Sequence, residues 1–209
     1  LAEVLNLVRQ SAEAKSENLG CAPYDALLDQ YAPGLRMKTV DSLFDKLAVV
    51  LPDLSKSIIE RQLLETDPKP PTGPFPVDQQ RRLGVKLMQT LGFDFDRGRL
   101  DESIHPFSGG TPDDLRITNR YDENDFMSGL MGVLHETGHA LYEKGLPKKW
   151  RRQPVGMARG MDIHESQSLL IEMQACRSLE FLTFASPLLQ ETFERAGPEW
   201  KPENLYRIC

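Results

Sequence analysis

Cysteine is scarce in this chain. There are three in 209 residues, Cys21, Cys176 and Cys209. Without close pairing they suit a reducing compartment better than a disulfide scaffold, so the cytoplasm is the expected location. None has the spacing of a zinc knuckle, and Cys176 sits in an apolar register that reads as a small core residue. Long apolar runs are missing too. No stretch reaches the ~18 residues of a membrane span, and no basic-then-apolar segment resembles a secretory signal. Positive charge is in deficit, with 25 Lys and Arg against 31 Asp and Glu and a net charge of −6. That balance argues against nucleic acid as a main partner. The one dense basic run, Lys148, Lys149, Arg151 and Arg152, reads as a solvated loop; contact with an acidic peptide or a chain terminus is the alternative.

What is present fits a globular protein. Apolar residues make up 40% and charged residues 27%, and the length can bury a core as one domain or as two small ones. Helical periodicity dominates, over 2–19, Tyr24–Gln30, Val40–Val50, a pattern beginning at Pro52 and ending near Leu64, and Val77–Leu91. Between 67 and 76 lie five prolines, a stiff connector expected at the surface. Leu115–Asn119 is the best strand candidate, preceded by a turn at Gly109-Gly110-Thr111-Pro112. Ser186-Pro187 reads as the start of a last helix. The expected fold is mainly α, with a small strand element near a site.

That site is signalled at residues 135–139, which read His-Glu-Thr-Gly-His. Histidines at i and i+4 project from one helical face, where both rings can reach one metal ion. Glu136 can then take a proton from a metal-bound water. Met127, Leu130, Met131, Leu134, Leu141 and Tyr142 recur at helical spacing around the motif. Asn124 or Asp125 can cap this helix, and Gly145 with Pro147 can stop it. Gly138 costs a helix about 1 kcal/mol relative to alanine, and allows close approach of another backbone or a substrate.

A hydrolytic zinc site keeps three protein ligands and leaves one position for water. The third ligand should come from residues 160–174, a second helical pattern carrying Asp162, His164, Glu165 and Glu172. Glu165 and Glu172 lie two turns apart on one face, so one can bind metal while the other orients a histidine. Spacing does not choose among them. Glu143 is a further candidate, but three ligands along one helix make a shallow site.

The chain resembles the carboxypeptidase Taq family of zinc metallocarboxypeptidases. His105-Pro106-Phe107 is similar to that family's HPF motif, Asp114–Thr118 to DxRxT, His135–His139 to HExxH, and His164–Gln167 to HES(G)Q. Pro23–Asp29 also looks like the family. The resemblance implies a helical metallopeptidase with His135, His139 and Glu165 as metal ligands and Glu136 as general base and acid. It marks His105, Asp114, Arg116, Thr118, His164 and Gln167 as substrate-binding or supporting positions. Family members run to about twice this length and carry two further motifs, IRxxAD and GxxQDxHW, that are not found here. We therefore expect residues 1–209 to be a single partial catalytic domain, with the group that grips the substrate carboxylate lying outside it.

The expected reaction is hydrolysis of the C-terminal peptide bond by a metal-activated water, with one zinc per chain, or cobalt, manganese or another divalent ion. The expected partners are peptide C-termini, with no nucleic acid or membrane. An endopeptidase or aminopeptidase on the same site is one alternative. A metal-binding fragment without turnover is another, and a fragment can also pair with a second copy as a homodimer. In the strand element, Leu115–Asn119 can align a substrate backbone by strand addition, or Asp114 and Arg116 can pair to brace the wall.

Overall fold

The computed structural model describes residues Leu1–Cys209. The chain divides into two compact units, one of Leu1–Asp67 with Arg159–Ile163, the other of Pro68–Ala158 with His164–Cys209. Its helices make it a mainly α protein with one small sheet. No helix is long and apolar enough to cross a membrane.

In the first unit, α1 (Ala2–Leu19) ends where Gly20 turns left-handed at φ 61° and donates its N–H to the Ser16 carbonyl. After α2 (Pro23–Leu28) the chain is clamped by carboxylates. Asp25 accepts from the Met37 backbone N–H at 2.7 Å, and Asp29 accepts from Gly34 N–H and from Arg36. The helix that follows, α3 (Met37–Gln62), differs from expectation because it continues straight through Pro52. Proline removes one backbone hydrogen bond from a helix, and the remaining bonds of this 26-residue helix carry the structure across that gap. The buried apolar residues of this unit are three alanines, Ala12, Ala26 and Ala32, and α3 itself buries none.

The second unit holds the main core. The proline-rich connector is anchored in it: Phe75 is 1% exposed, and its N–H donates to the Glu123 carbonyl. Phe75 packs edge-on against Phe126 and Phe193, with Trp200 completing the aromatic cluster. Helix α4 (Val77–Thr90) contributes Leu83, Leu87 and Met88. Three strands follow, β1 (Gly98–Glu102), β2 (Phe107–Thr111) and β3 (Asp114–Asn119), in spatial order β1-β3-β2. β3 pairs parallel with β1 and antiparallel with β2. Leu115–Asn119 is thus the central strand, so it cannot accept a substrate by strand addition; the free edges belong to β1 and β2. The expected turn at Gly109–Pro112 is narrower than its glycines suggested. Gly109–Thr111 is strand, and only Pro112-Asp113 makes the bend.

The motif helix α5 (Phe126–Gly145) is capped by Asp125, whose side chain accepts from Ser128 N–H at 3.1 Å. Helix α6 (Met161–Leu169) passes into a π-helical turn over Leu170–Ala175. Helix α7 (Leu179–Phe193) starts earlier than the Ser-Pro signal indicated. Ser178 is its cap, accepting from Phe181 N–H, while Ser186 is buried inside it and donates to the Trp200 carbonyl. A short α8 (Pro202–Ile208) buries Leu205.

Candidate metal centre

Eleven residues of α5 are buried, among them Glu136 and His139, so the helix is fixed on nearly all sides and its histidines have little freedom to reorient. The residue between them sets the approach of the next element. A Cβ on Gly138 would lie 2.6 Å from the Ser168 Cα and 2.8 Å from the Gln167 carbonyl oxygen. The glycine therefore admits a backbone, that of α6, and so brings Glu165 within reach of the motif.

Three groups converge there. His135, His139 and Glu165 each offer a ligand atom, and these atoms all lie within 4.8 Å of one another. Glu165 Oε1 is 3.7 Å from His135 Nε2, and Glu165 Oε2 is 3.4 Å from His139 Nε2. Two ligands bound at about 2.1 Å to a tetrahedral ion sit about 3.4 Å apart, so these separations match a shared metal better than a hydrogen bond.

The surrounding hydrogen bonds fix which nitrogens carry protons. Glu172 Oε2 lies 2.9 Å from His135 Nδ1, and a carboxylate accepts, so that Nδ1 is the protonated nitrogen. Glu172 is in turn held by Arg177 at 2.8 Å. On the other side, Glu143 Oε1 accepts from His164 Nε2 at 2.9 Å. A neutral His164 then has a bare Nδ1, which accepts from His139 Nδ1 at 2.6 Å. In the neutral tautomers that these bonds favour, the Nε2 atoms of both histidines face the Glu165 carboxylate. Two such nitrogens and a carboxylate are a donor set that fits a divalent cation.

Burial works in the same direction. Desolvation, followed by His164 and His135, lowers the pKa of His139 and keeps it neutral. Glu136 is 8% exposed and makes no hydrogen bond or ion pair with the protein. Desolvation raises its pKa, with Glu165 adding to the rise and His135 opposing it. An unpaired carboxyl beside a metal-type triad, made more basic than usual, suits proton transfer.

The remaining candidates fall into separate roles. Asp162, in the first turn of α6, and Glu172, in the π-helical turn that follows, both lie outside the triad. Glu143 supports His164 instead of binding as a ligand. Gln167 contributes its backbone to the contact at Gly138, while its side chain reaches Ser166. Arg116 forms a two-pronged pair with Asp114, at 2.7 and 2.8 Å, so these residues brace the exposed face of β3. Thr118 ties the HPF corner: its hydroxyl donates to the His105 carbonyl and accepts from Phe107 N–H. The His105 ring itself is exposed. Arg177 was missed in the sequence. It follows Glu172 by five residues and lies in the non-helical turn after Ala175, so helical periodicity does not pair the two.

Comparison with known proteins agrees with this geometry. The family model for carboxypeptidase Taq (M32) metallopeptidases matches residues 1–209. The chain is 42% identical over 179 residues to thermostable carboxypeptidase 1 of Thermus thermophilus, covering 83% of this chain and 34% of that protein. It is 40% identical over 174 residues to carboxypeptidase 1 of Bacillus subtilis, covering 81% and 34% respectively. Metallocarboxypeptidase 1 of Trypanosoma cruzi superposes with a TM-score of 0.93 at 44% identity, over 99% of this chain and 43% of that one. The chain thus spans about a third of the length of the curated relatives it matches.

Proposed function

Because the chain belongs to the carboxypeptidase Taq (M32) metallopeptidase family, we propose that it carries the metal centre of a zinc-dependent carboxypeptidase. His135, His139 and Glu165 would hold the ion, and Glu136 would act as general base and acid. The observation that carries this reading is the convergence of the His135 and His139 Nε2 atoms with the Glu165 carboxylate, within 4.8 Å of one another. A divalent ion there supplies Lewis acidity to the water and to the scissile carbonyl. The protein's own residues do the rest. Glu136, made more basic by burial, takes the proton of the attacking water and delivers it to the leaving amine. The Glu172–His135 and Glu143–His164–His139 bonds keep both rings in the ligand tautomer. The outer edge of β2 offers backbone groups on which a peptide can lie extended.

Glu136→Gln tests the assignment. We expect one zinc per chain by elemental analysis, as in the wild type, and loss of C-terminal trimming of an N-blocked peptide. Retained trimming would remove Glu136 from the chemistry. The chain's length relative to its family favours one further reading, a metal-binding piece that needs additional sequence to turn over substrate. Wild-type chain that holds zinc but releases no residue would support it.

A further inference from the structure

β2 runs alongside α5. Near its start, Pro106 Cγ comes within 4.0 Å of where a Cβ on Gly132 would lie. Near its end, Gly110 and Thr111 share the wall of a cavity with Glu143. The helix from Gly132 to Glu143 and the strand from Pro106 to Thr111 both cover about 16.5 Å. The strand therefore passes the whole stretch of helix that bears His135 and His139, and the cavity lies at the far end of that track.

This cavity measures about 540 Å³, and Thr111, Pro112, Glu143, Leu146, Arg152 and Met157 are among its walls. Its charges are not equivalent. Asp113 is taken by Arg151, whose guanidinium holds the Asp113 carboxyl below the usual range. Glu143 is engaged with His164. Arg152 has no hydrogen bond or ion pair within the chain. It also sits at φ 63°, a left-handed conformation that residues other than glycine rarely adopt. The loop that imposes this is tightly built: a Cβ on Gly156 would lie 2.2 Å from the Trp150 carbonyl oxygen. The opposite wall is equally fixed, since Gly110 has φ 110° and its Cβ would meet the Asp114 carbonyl oxygen at 2.1 Å.

We propose that this cavity is a carboxylate subsite of the peptide cleft, with Arg152 as its cation and Leu146, Pro112 and Met157 receiving the apolar stem. The proposal rests on the peptidase reading above. A bound peptide has two sources of that carboxylate. One is an acidic side chain upstream of the scissile bond, which reaches the cavity if the peptide lies antiparallel to β2. The other is the terminal carboxylate, which reaches it if the peptide lies parallel.

The first test titrates N-acetyl-glutamate amide into the metal-free protein and follows backbone amides by NMR. We expect saturable shifts at Gly110, Gly156 and Met157, with binding about fivefold weaker for the glutamine analogue and for Arg152→Ala. Arg152→Gly guards against misfolding, because it relieves the left-handed φ; it should keep or raise the melting temperature while losing the preference. The second test measures binding of N-blocked pentapeptides to zinc-loaded Glu136→Gln protein, contrasting Glu with Gln upstream and acid with amide termini. Whichever contrast Arg152→Ala removes identifies the source. Absence of the NMR shifts, or both contrasts surviving in Arg152→Ala, overturns the subsite. Wild-type hydrolysis without cavity binding overturns the subsite alone, whereas cavity binding without hydrolysis supports it and counts against the peptidase reading.

Discussion

Each histidine of the candidate metal centre is one member of a hydrogen-bonded line, and the lines end in different ways. His135 leans on Glu172, which Arg177 neutralises, whereas His139 leans on His164, which ends at Glu143. Removing either carboxylate leaves a ring free to rotate or change tautomer, an effect typically worth ten- to hundredfold, about 10–100, in metal affinity. We expect Glu172→Gln and Glu143→Gln to bind zinc more weakly by that order in chelator competition, with stoichiometry unchanged at saturation. Glu165→Ala should instead lose zinc retention outright; unchanged zinc content would return Asp162 or Glu172 to consideration. The pH dependence of the metal-free protein follows from His139. Its pKa is lowered in the folded state, so the unfolded chain binds the extra proton first. Its contribution to stability is complete above the ordinary value of 6.5 and is lost as the pH falls through the lowered folded value. Urea midpoints measured across that acid range should fall for the wild type and fall less for His139→Asn.

Elements explain why these residues meet. α5 can carry two ligands because a packed helix fixes i and i+4, but the third depends on how close α6 can come. Gly138 decides that. Alanine there gains about 1 kcal/mol of helix propensity and meets backbone at 2.6 Å, an overlap of the kind that typically costs 1–3, so about 1–3 kcal/mol. We expect Gly138→Ala to be destabilised by about 1 kcal/mol net and to bind zinc at least about tenfold more weakly, read by thermal melts and chelator competition. The π-helical turn at Leu170–Ala175 is the second device. It carries Glu172, and the non-helical turn that follows at Cys176-Arg177 lets Arg177 reach back to that carboxylate. The helix α3 shows the limit of reading local signals, because Pro52 looks like a boundary and the helix continues through it.

For the whole molecule, the two units differ in how much they bury. The second has an aromatic and aliphatic core, whereas the first leaves Phe44, Leu47, Leu51, Leu54 and Ile58 of α3 exposed at alternating spacings of three and four residues. That is the spacing of a helix–helix seam. We expect the isolated chain to self-associate through α3, with concentration-dependent sedimentation that Leu47→Glu and Leu54→Glu abolish; monomer at all concentrations would remove the idea. The sequence by itself determined the mainly helical fold, the HExxH helix with its cap and stop, and four motifs whose order resembles one metallopeptidase family. These are local properties, written in periods of a few residues and in side-chain chemistry. Helical spacing left the third acid open and only the resemblance pointed to Glu165; the tertiary structure brought that carboxylate to the histidines, made β3 central with β1 and β2 at the edges, and buried Ser186 instead of using it as a cap. It also gave Glu143 and Arg177 their places. Those outcomes depend on contacts between residues far apart in the chain, such as Gly138 against Ser168 and Glu172 against His135, and no periodicity along the chain encodes such distances.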